Sequence, residues 1–362
     1  MALTSLTTSN MESINVIKIL FLCAFSAFVA VAWTPVLTHF LYKYKLWRKT
    51  ARTKTINGQE AKVFHSLHKE KEVSTPRFGG LLIWITTAFT AFLFLILAII
   101  FPNNNFLQKL NFLSRDQTWL PLAILIAGSV LGFFDDLWQV VEKGKYAGGG
   151  IRFTRRLIAV LLIATAAAWW FYFKLGWHTL HIPGDGAIEI GILYLPLFII
   201  TVVACWAGGI IDGIDGLSGG IFAIMFSAFA IIAFSNGQYN LAAFCAVISG
   251  ATLAFLWFNI PPARFYMGET GTIGLTATLA AVAFLTDSLV VLPIIGGLLV
   301  VEAGSVIIQL TAKKFWHKKI FQCAPIHHHL EAIGWSREKI TMRFWVIGLV
   351  LAIIGISIRL LG

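Results

Sequence analysis

Runs of apolar residues, each long enough to cross a bilayer, alternate with short polar or basic segments through most of this chain. Segments of this kind are found at about 17–40, 78–101, 119–134, 157–173, 190–207, 217–235, 239–257, 271–286, 289–311 and 341–361. Buried core helices of soluble proteins seldom run beyond roughly 14 uninterrupted apolar residues, whereas a spanning helix needs about 20. The pattern predicts an all-α polytopic membrane protein, a single domain over 1–362 with about ten transmembrane helices. The span at 157–173 is short, and only a few residues around Asp287 separate two helices. The first segment reads as a retained helix rather than a signal peptide. No basic run precedes it, and Phe40, Leu41 and Tyr42 stand where a signal peptidase needs small residues.

Charge fixes the orientation. The loops 41–77, 135–156, 258–270 and 312–343 carry 10, 5, 1 and 7 Lys/Arg, 23 of the 28 in the chain. By the positive-inside rule these loops face the cytoplasm and both termini are periplasmic or extracellular. The net charge of +11 therefore has a topological cause. The basic residues lie along several membrane-bordering loops and suit anionic lipid head groups, which argues against a nucleic-acid partner. Cys23, Cys205, Cys245 and Cys323 show neither a disulfide framework nor ligand spacing.

With that topology, Asp135 and Asp136 in GFFDDLW, Asp212 and Asp215 in GGIIDGIDGLSGG, and Glu269 in YMGETG all reach the cytoplasmic face. A lone acid at a helix end is ordinary; three clusters converging on one face point to a site. Adjacent carboxylates repel and favour a nearby divalent cation or a shared proton. The surrounding glycines permit close backbone approach, although glycine also serves helix packing in membranes. Hard carboxylate oxygens with glycine-rich turns suit Mg2+ and a phosphate or diphosphate substrate. No Walker loop or dinucleotide fingerprint is present. In APIHHHLEAIGW, His327, His328 and His329 cannot all point the same way on a helix, so they divide tasks, with phosphate or sugar binding favoured. Zinc hydrolysis is disfavoured because no HExxH motif is present. An anion transporter is the alternative from another class, but only Glu302 lies deep in an expected span, where packing accounts for it.

The motifs STPRFGG (74–80), GFFDDLWQVV (132–141), DGIDGLSGG (212–220), FNIPPARFYMGETG (258–271), VEAGSVIIQL (301–310), PIHHHLEAIGW (325–335) and KITMRFW (339–345) resemble those of the phospho-N-acetylmuramoyl-pentapeptide transferases. These belong to the polyprenyl-phosphate N-acetylhexosamine-1-phosphate transferase group, glycosyltransferase family 4. DD and DGxDGL are shared across the group, while the histidine run with GW and RFW points to the muramoyl-pentapeptide branch. The family's ten spans and outward termini agree with the topology reached from charge.

The resemblance implies an enzyme of the bacterial cytoplasmic membrane that takes part in peptidoglycan synthesis. It would transfer phospho-MurNAc-pentapeptide from its UDP carrier to undecaprenyl phosphate, releasing UMP and forming lipid I. A UDP-GlcNAc:undecaprenyl-phosphate GlcNAc-1-phosphate transferase is the runner-up. By this carry-over Asp135, Asp136 and Asp215 are catalytic, with Asp135 the base near the lipid phosphate. Asp212, Gly209, Arg156, Thr75, Tyr266 and His327 to His329 bind substrate, and Glu269 with Asp215 holds Mg2+. A homodimer is also compatible with the family. Three departures stand out. WAGGIIDG replaces the usual NAxNxxDG, so Trp206 and Gly209 stand for two side-chain amides. Gln139 stands where a lysine often follows the aspartate pair, with Arg156 at a later basic position, and Glu269 stands for a usual aspartate.

Overall fold

The computed structural model describes residues 2–51, 65, 72–141 and 150–362. Much of the two basic loops, including 52–64, 66–71 and 142–149, lies outside the described residues. Eight helices are long and apolar enough to cross a membrane. They are α1 (Ala2–Lys43), α2 (Gly80–Ile100), α4 (Trp119–Val141), α5 (Phe153–Trp169, extended by a π-turn to Lys174), α6 (Tyr194–Gly208), α7 (Leu217–Ser235), α8 (Tyr239–Asn259) and α13 (Arg337–Leu361). Between them lie α3 (Asn105–Leu110) and α12 (Ile326–Ala332), both short.

The remaining apolar helices depart from simple spans. α9 (Glu269–Leu285) has 17 residues, and every one from Thr270 to Leu285 is buried. Its small residues explain the burial. Adjacent helices come so close that a Cβ on Gly132 would strike the carbonyl of Glu269, and one on Gly80 would strike the backbone of Gly271. The expected span 289–311 is broken at Gly296 into α10 (Leu292–Ile295, after a 3-10 turn) and α11 (Gly297–Phe315), bent by 75°. Pro293 near the start of α10 and the Gly296-Gly297 pair supply the break. The described residues thus hold eight spanning helices, or nine if the bent pair counts as one. The fold is also not wholly helical: β1 (Thr179–Ile182) and β2 (Gly186–Glu189) form an antiparallel hairpin, Thr179 opposite Glu189. Its turn uses Gly184 and Gly186 at positive φ, a local signal that the search for apolar spans passed over.

α7, α8 and α9 form the buried centre, while α1 and α13 expose Ile17, Leu20, Phe28, Val346 and Leu349. Exposed apolar rims around a buried centre are what lipid-facing helices require.

Candidate active site

The site is assembled where the segment 76–80 pairs with Tyr266 and Met267. Tyr266 donates its backbone N–H to Pro76, and Gly79 and Gly80 donate to the carbonyls of Tyr266 and Met267 at 2.7 and 2.9 Å. This pairing sets Arg77 beside the end of α4, where its Nε donates to Asp136 Oδ1 at 3.0 Å. Burial opposes the Arg77 charge, but Asp136, Asp212 and Glu269 outweigh it and hold the guanidinium protonated. Asp136 also accepts from the backbone N–H and hydroxyl of Thr270, at 2.9 and 2.8 Å. One aspartate therefore fastens α4 to the first turn of α9 and to the segment carrying Arg77.

Asp212 approaches the same turn from the other side. Its carboxylate accepts from Gly268 N at 2.9 Å and Ser218 Oγ at 2.7 Å. Burial pushes its carboxyl up to about 6, against the Ser218 bond, the Arg77 charge and the Gly268 bond. Part of its surface nevertheless stays accessible. Gly268 has φ 70 and Asp136 lies where its Cβ would be, so only glycine brings both aspartates onto this turn. Asp215 is buried and its Oδ2 accepts from Ala263 N at 3.3 Å.

Arg156, from the start of α5, joins the other two acids: its Nη1 donates to Asp135 Oδ2 at 3.2 Å and Glu269 Oε1 at 2.6 Å. The guanidinium lies 5.7 Å from the Trp206 ring, which stacks on Phe153 at 5.6 Å. Asp135 is fully buried and takes further bonds from Gln139 Nε2 at 2.6 Å and Ile151 N at 2.7 Å. Tyr266 hydrogen-bonds Thr75, and burial with the Asp215 charge pushes its phenol up to about 12. Gly209 faces Thr272 and Thr276 on α9.

The histidine run does divide its partners. His327 Nδ1 meets Glu302 Oε2 on α11 at 2.9 Å, both side chains fully buried, and His328 Nδ1 meets Glu331 Oε2 at 2.7 Å. Arg337 completes the second pair through Glu331 Oε1. His329 remains half-buried and accepts from Gln322 N at 3.3 Å. Glu302, read from sequence as packing, is thus the partner of a histidine. The Nε2 of His327 reaches the place a Cβ on Gly213 would occupy and has no hydrogen-bond partner. The histidines are thereby linked to the DGIDG turn.

Among the described residues no group of three or more His, Cys, Asp or Glu is disposed around a metal point. Mg2+ commonly needs less, one or two carboxylates with substrate phosphates and water completing the shell. Glu269 fits that demand. Its side chain is 27% exposed, and among the described residues Oε2 has only a long 3.4 Å contact with Thr272.

The glycosyl transferase family 4 profile matches residues 118–287, from the start of α4 through α9. A phospho-N-acetylmuramoyl-pentapeptide-transferase of Geobacillus kaustophilus is 36% identical over 339 residues, covering 93% of this chain and 96% of that protein. Those of Anoxybacillus flavithermus and Bacillus thuringiensis are 33% and 35% identical, over 94% and 91% of this chain and 98% and 94% of theirs. The chain belongs to this transferase family. It is a bacterial multi-pass membrane member of it, and three of its four departing positions, all but Gly209, fall around one side chain. Within this family member, Glu269 extends to Arg156, Trp206 lies over Arg156, and Gln139 bonds the aspartate that Arg156 also holds. Three positions that look unrelated in sequence meet around one guanidinium. Arg77 and Thr270 were missed as site residues, although both lie inside quoted motifs, STPRFGG and YMGETG.

Proposed function

We propose that this chain transfers phospho-MurNAc-pentapeptide from UDP-MurNAc-pentapeptide to undecaprenyl phosphate, giving lipid I and UMP. The observation that carries this is identity of 36% over 93% of the chain to a transferase of that name. The geometry supports it, because four acids and two arginines from five separated segments converge where α4 meets α9. The frame we propose has ten crossings, including α9 and the bent pair, with both termini outside and the acids on the cytoplasmic side.

In this reading the lipid phosphate brings its own oxyanion to the β-phosphate, and the protein's task is alignment and charge neutralisation. Arg156 and Arg77 would hold phosphate oxygens while His327 to His329, Thr75, Tyr266 and Gly209 line the substrate. Asp135 faces the lipid phosphate. Its oxygens already receive three N–H groups, which fix the direction in which the carboxyl points. A dianionic phosphate nucleophile needs no proton removed, so Asp135 acts by its position and its hold on Arg156 before it acts as a base. Glu269, with Asp215 as the second ligand and Asp212 on the same turn, would hold Mg2+. When bound, the ion offsets charge on the diphosphate as UMP leaves.

The test is UMP release by purified protein given undecaprenyl phosphate and either UDP-MurNAc-pentapeptide or UDP-GlcNAc, with and without Mg2+. Release is expected with the muramoyl substrate and Mg2+ alone. Release only with UDP-GlcNAc would move the chain to the neighbouring branch, and none with either would remove the enzymatic reading.

A further inference from the structure

Behind the pairs already described lies a third arginine. Arg48 follows α1 in sequence and is 6% exposed, yet 91 positions separate it from Gln139, whose Oε1 accepts its Nη2 hydrogen bond. Gln139 is itself 7% exposed and stands one helical turn after Asp135 on α4. Its Nε2 donates to Asp135 Oδ2 at 2.6 Å.

The direction of this chain of bonds is dictated by the groups. A guanidinium has donors and no acceptor, so the amide must turn its carbonyl toward Arg48, which leaves only its NH2 for Asp135. A cation drawing on the carbonyl strengthens the amide as a donor. Asp135 is thereby held from one side through Gln139 and from the other by Arg156 at 3.2 Å, with Ile151 N on its second oxygen. A buried carboxyl beside other acids needs such hydrogen bonds to hold one orientation. An uncharged glutamine alone would supply an N–H without a charge.

We infer that Arg48 is a positioning residue of the transfer reaction, acting through Gln139 to keep the Asp135 carboxyl aimed. Gln139 relays the charge that a basic side chain at its own position would apply directly. The inference rests on the reading of Asp135 as the acid beside the lipid phosphate. It also adds a segment to the site: the start of the 41–77 loop, beyond the end of α1, becomes part of what sets the turnover rate.

The test is a double-mutant cycle on purified full-length protein, read as kcat and KM for UMP release together with thermal unfolding in detergent. Arg48→Ala should lower kcat by about 10- to 100-fold, the effect of losing a charge-assisted hydrogen bond, while KM for the UDP substrate stays within about twofold. Gln139→Lys alone should also lower kcat, because it sets a second cation against Arg48. In Arg48→Ala/Gln139→Lys the new ammonium is one turn from Asp135 on the same helix and reaches it directly. That double variant should be more active than either single one and recover at least about a third of wild-type kcat. A purely structural Arg48 would show itself as lost thermal stability that lysine at 139 cannot restore. A double variant no more active than Arg48→Ala, with all four proteins folded, overturns the inference while leaving the transferase reading intact. Wild-type protein that releases no UMP overturns both.

Discussion

Asp212 carries a pH signature that reaches both stability and activity. Its carboxyl sits at about 6 in the folded protein against an ordinary 3.8, with burial the leading cause. Between those values the native state holds a proton that the unfolded chain has released. The contribution to stability is complete below 3.8 and is lost as pH rises through about 6. Activity is expected to run the opposite way, because the ionised form is the one that can draw in a cation. A pH profile of kcat/KM should show an acid limb near 6, and Asp212→Asn should leave a low rate without that limb. An unchanged limb in Asp212→Asn would assign it to another group. The residue-scale map also explains why sequence departures cluster. Trp206 places a ring over Arg156, where a cation–π contact contributes about 0.5–2 kcal/mol.

Among the helices, α4 and α9 hold the site together, and their separation is set by glycine. A methyl at Gly132 would land on the Glu269 carbonyl, moving the first turn of α9 that Asp136 and Asp212 both grip. Gly132→Ala should therefore lower thermal stability by about 1–3 kcal/mol and reduce turnover with it. Unfolding in detergent alongside UMP release checks both, and wild-type values in each would show that the helices are free to separate. Spans and acids were legible in the sequence because hydropathy and the motifs DD, DGIDG and GETG are local. The bend at Gly296 was not, since an apolar run conceals a change of direction. Nor was the hairpin at 179–189, which is too short to register beside long helices. The ties Arg77 to Asp136, Arg48 to Gln139 and His327 to Glu302 join residues 59, 91 and 25 positions apart. No periodicity reports such pairs; they exist only once the helices have packed.

For the whole molecule, the uneven distribution of 28 basic residues predicts a sidedness that can be read directly in cells. Lys318, exposed after α11, should be cytoplasmic, and Asp185, exposed in the hairpin turn, should face outward. Measured against the background of the native cysteines, Asp185→Cys should react with an impermeant thiol reagent on intact cells, and Lys318→Cys only after lysis. The reverse labelling would turn the molecule over and take the acids away from the cytoplasmic UDP-sugar.

The buried Glu302–His327 pair bears on how this protein can change. Each member is fully enclosed and has the other as its hydrogen-bond partner, and one atom of each is already without one. Removing either alone strands a polar group in the interior, at a cost of about 3–5 kcal/mol if the pair is charged. One substitution at a time, both positions face a barrier that a joint replacement by apolar residues avoids. α11 and α12 are locked to each other's histories, and a library aimed at the histidine run must vary position 302 in the same clones.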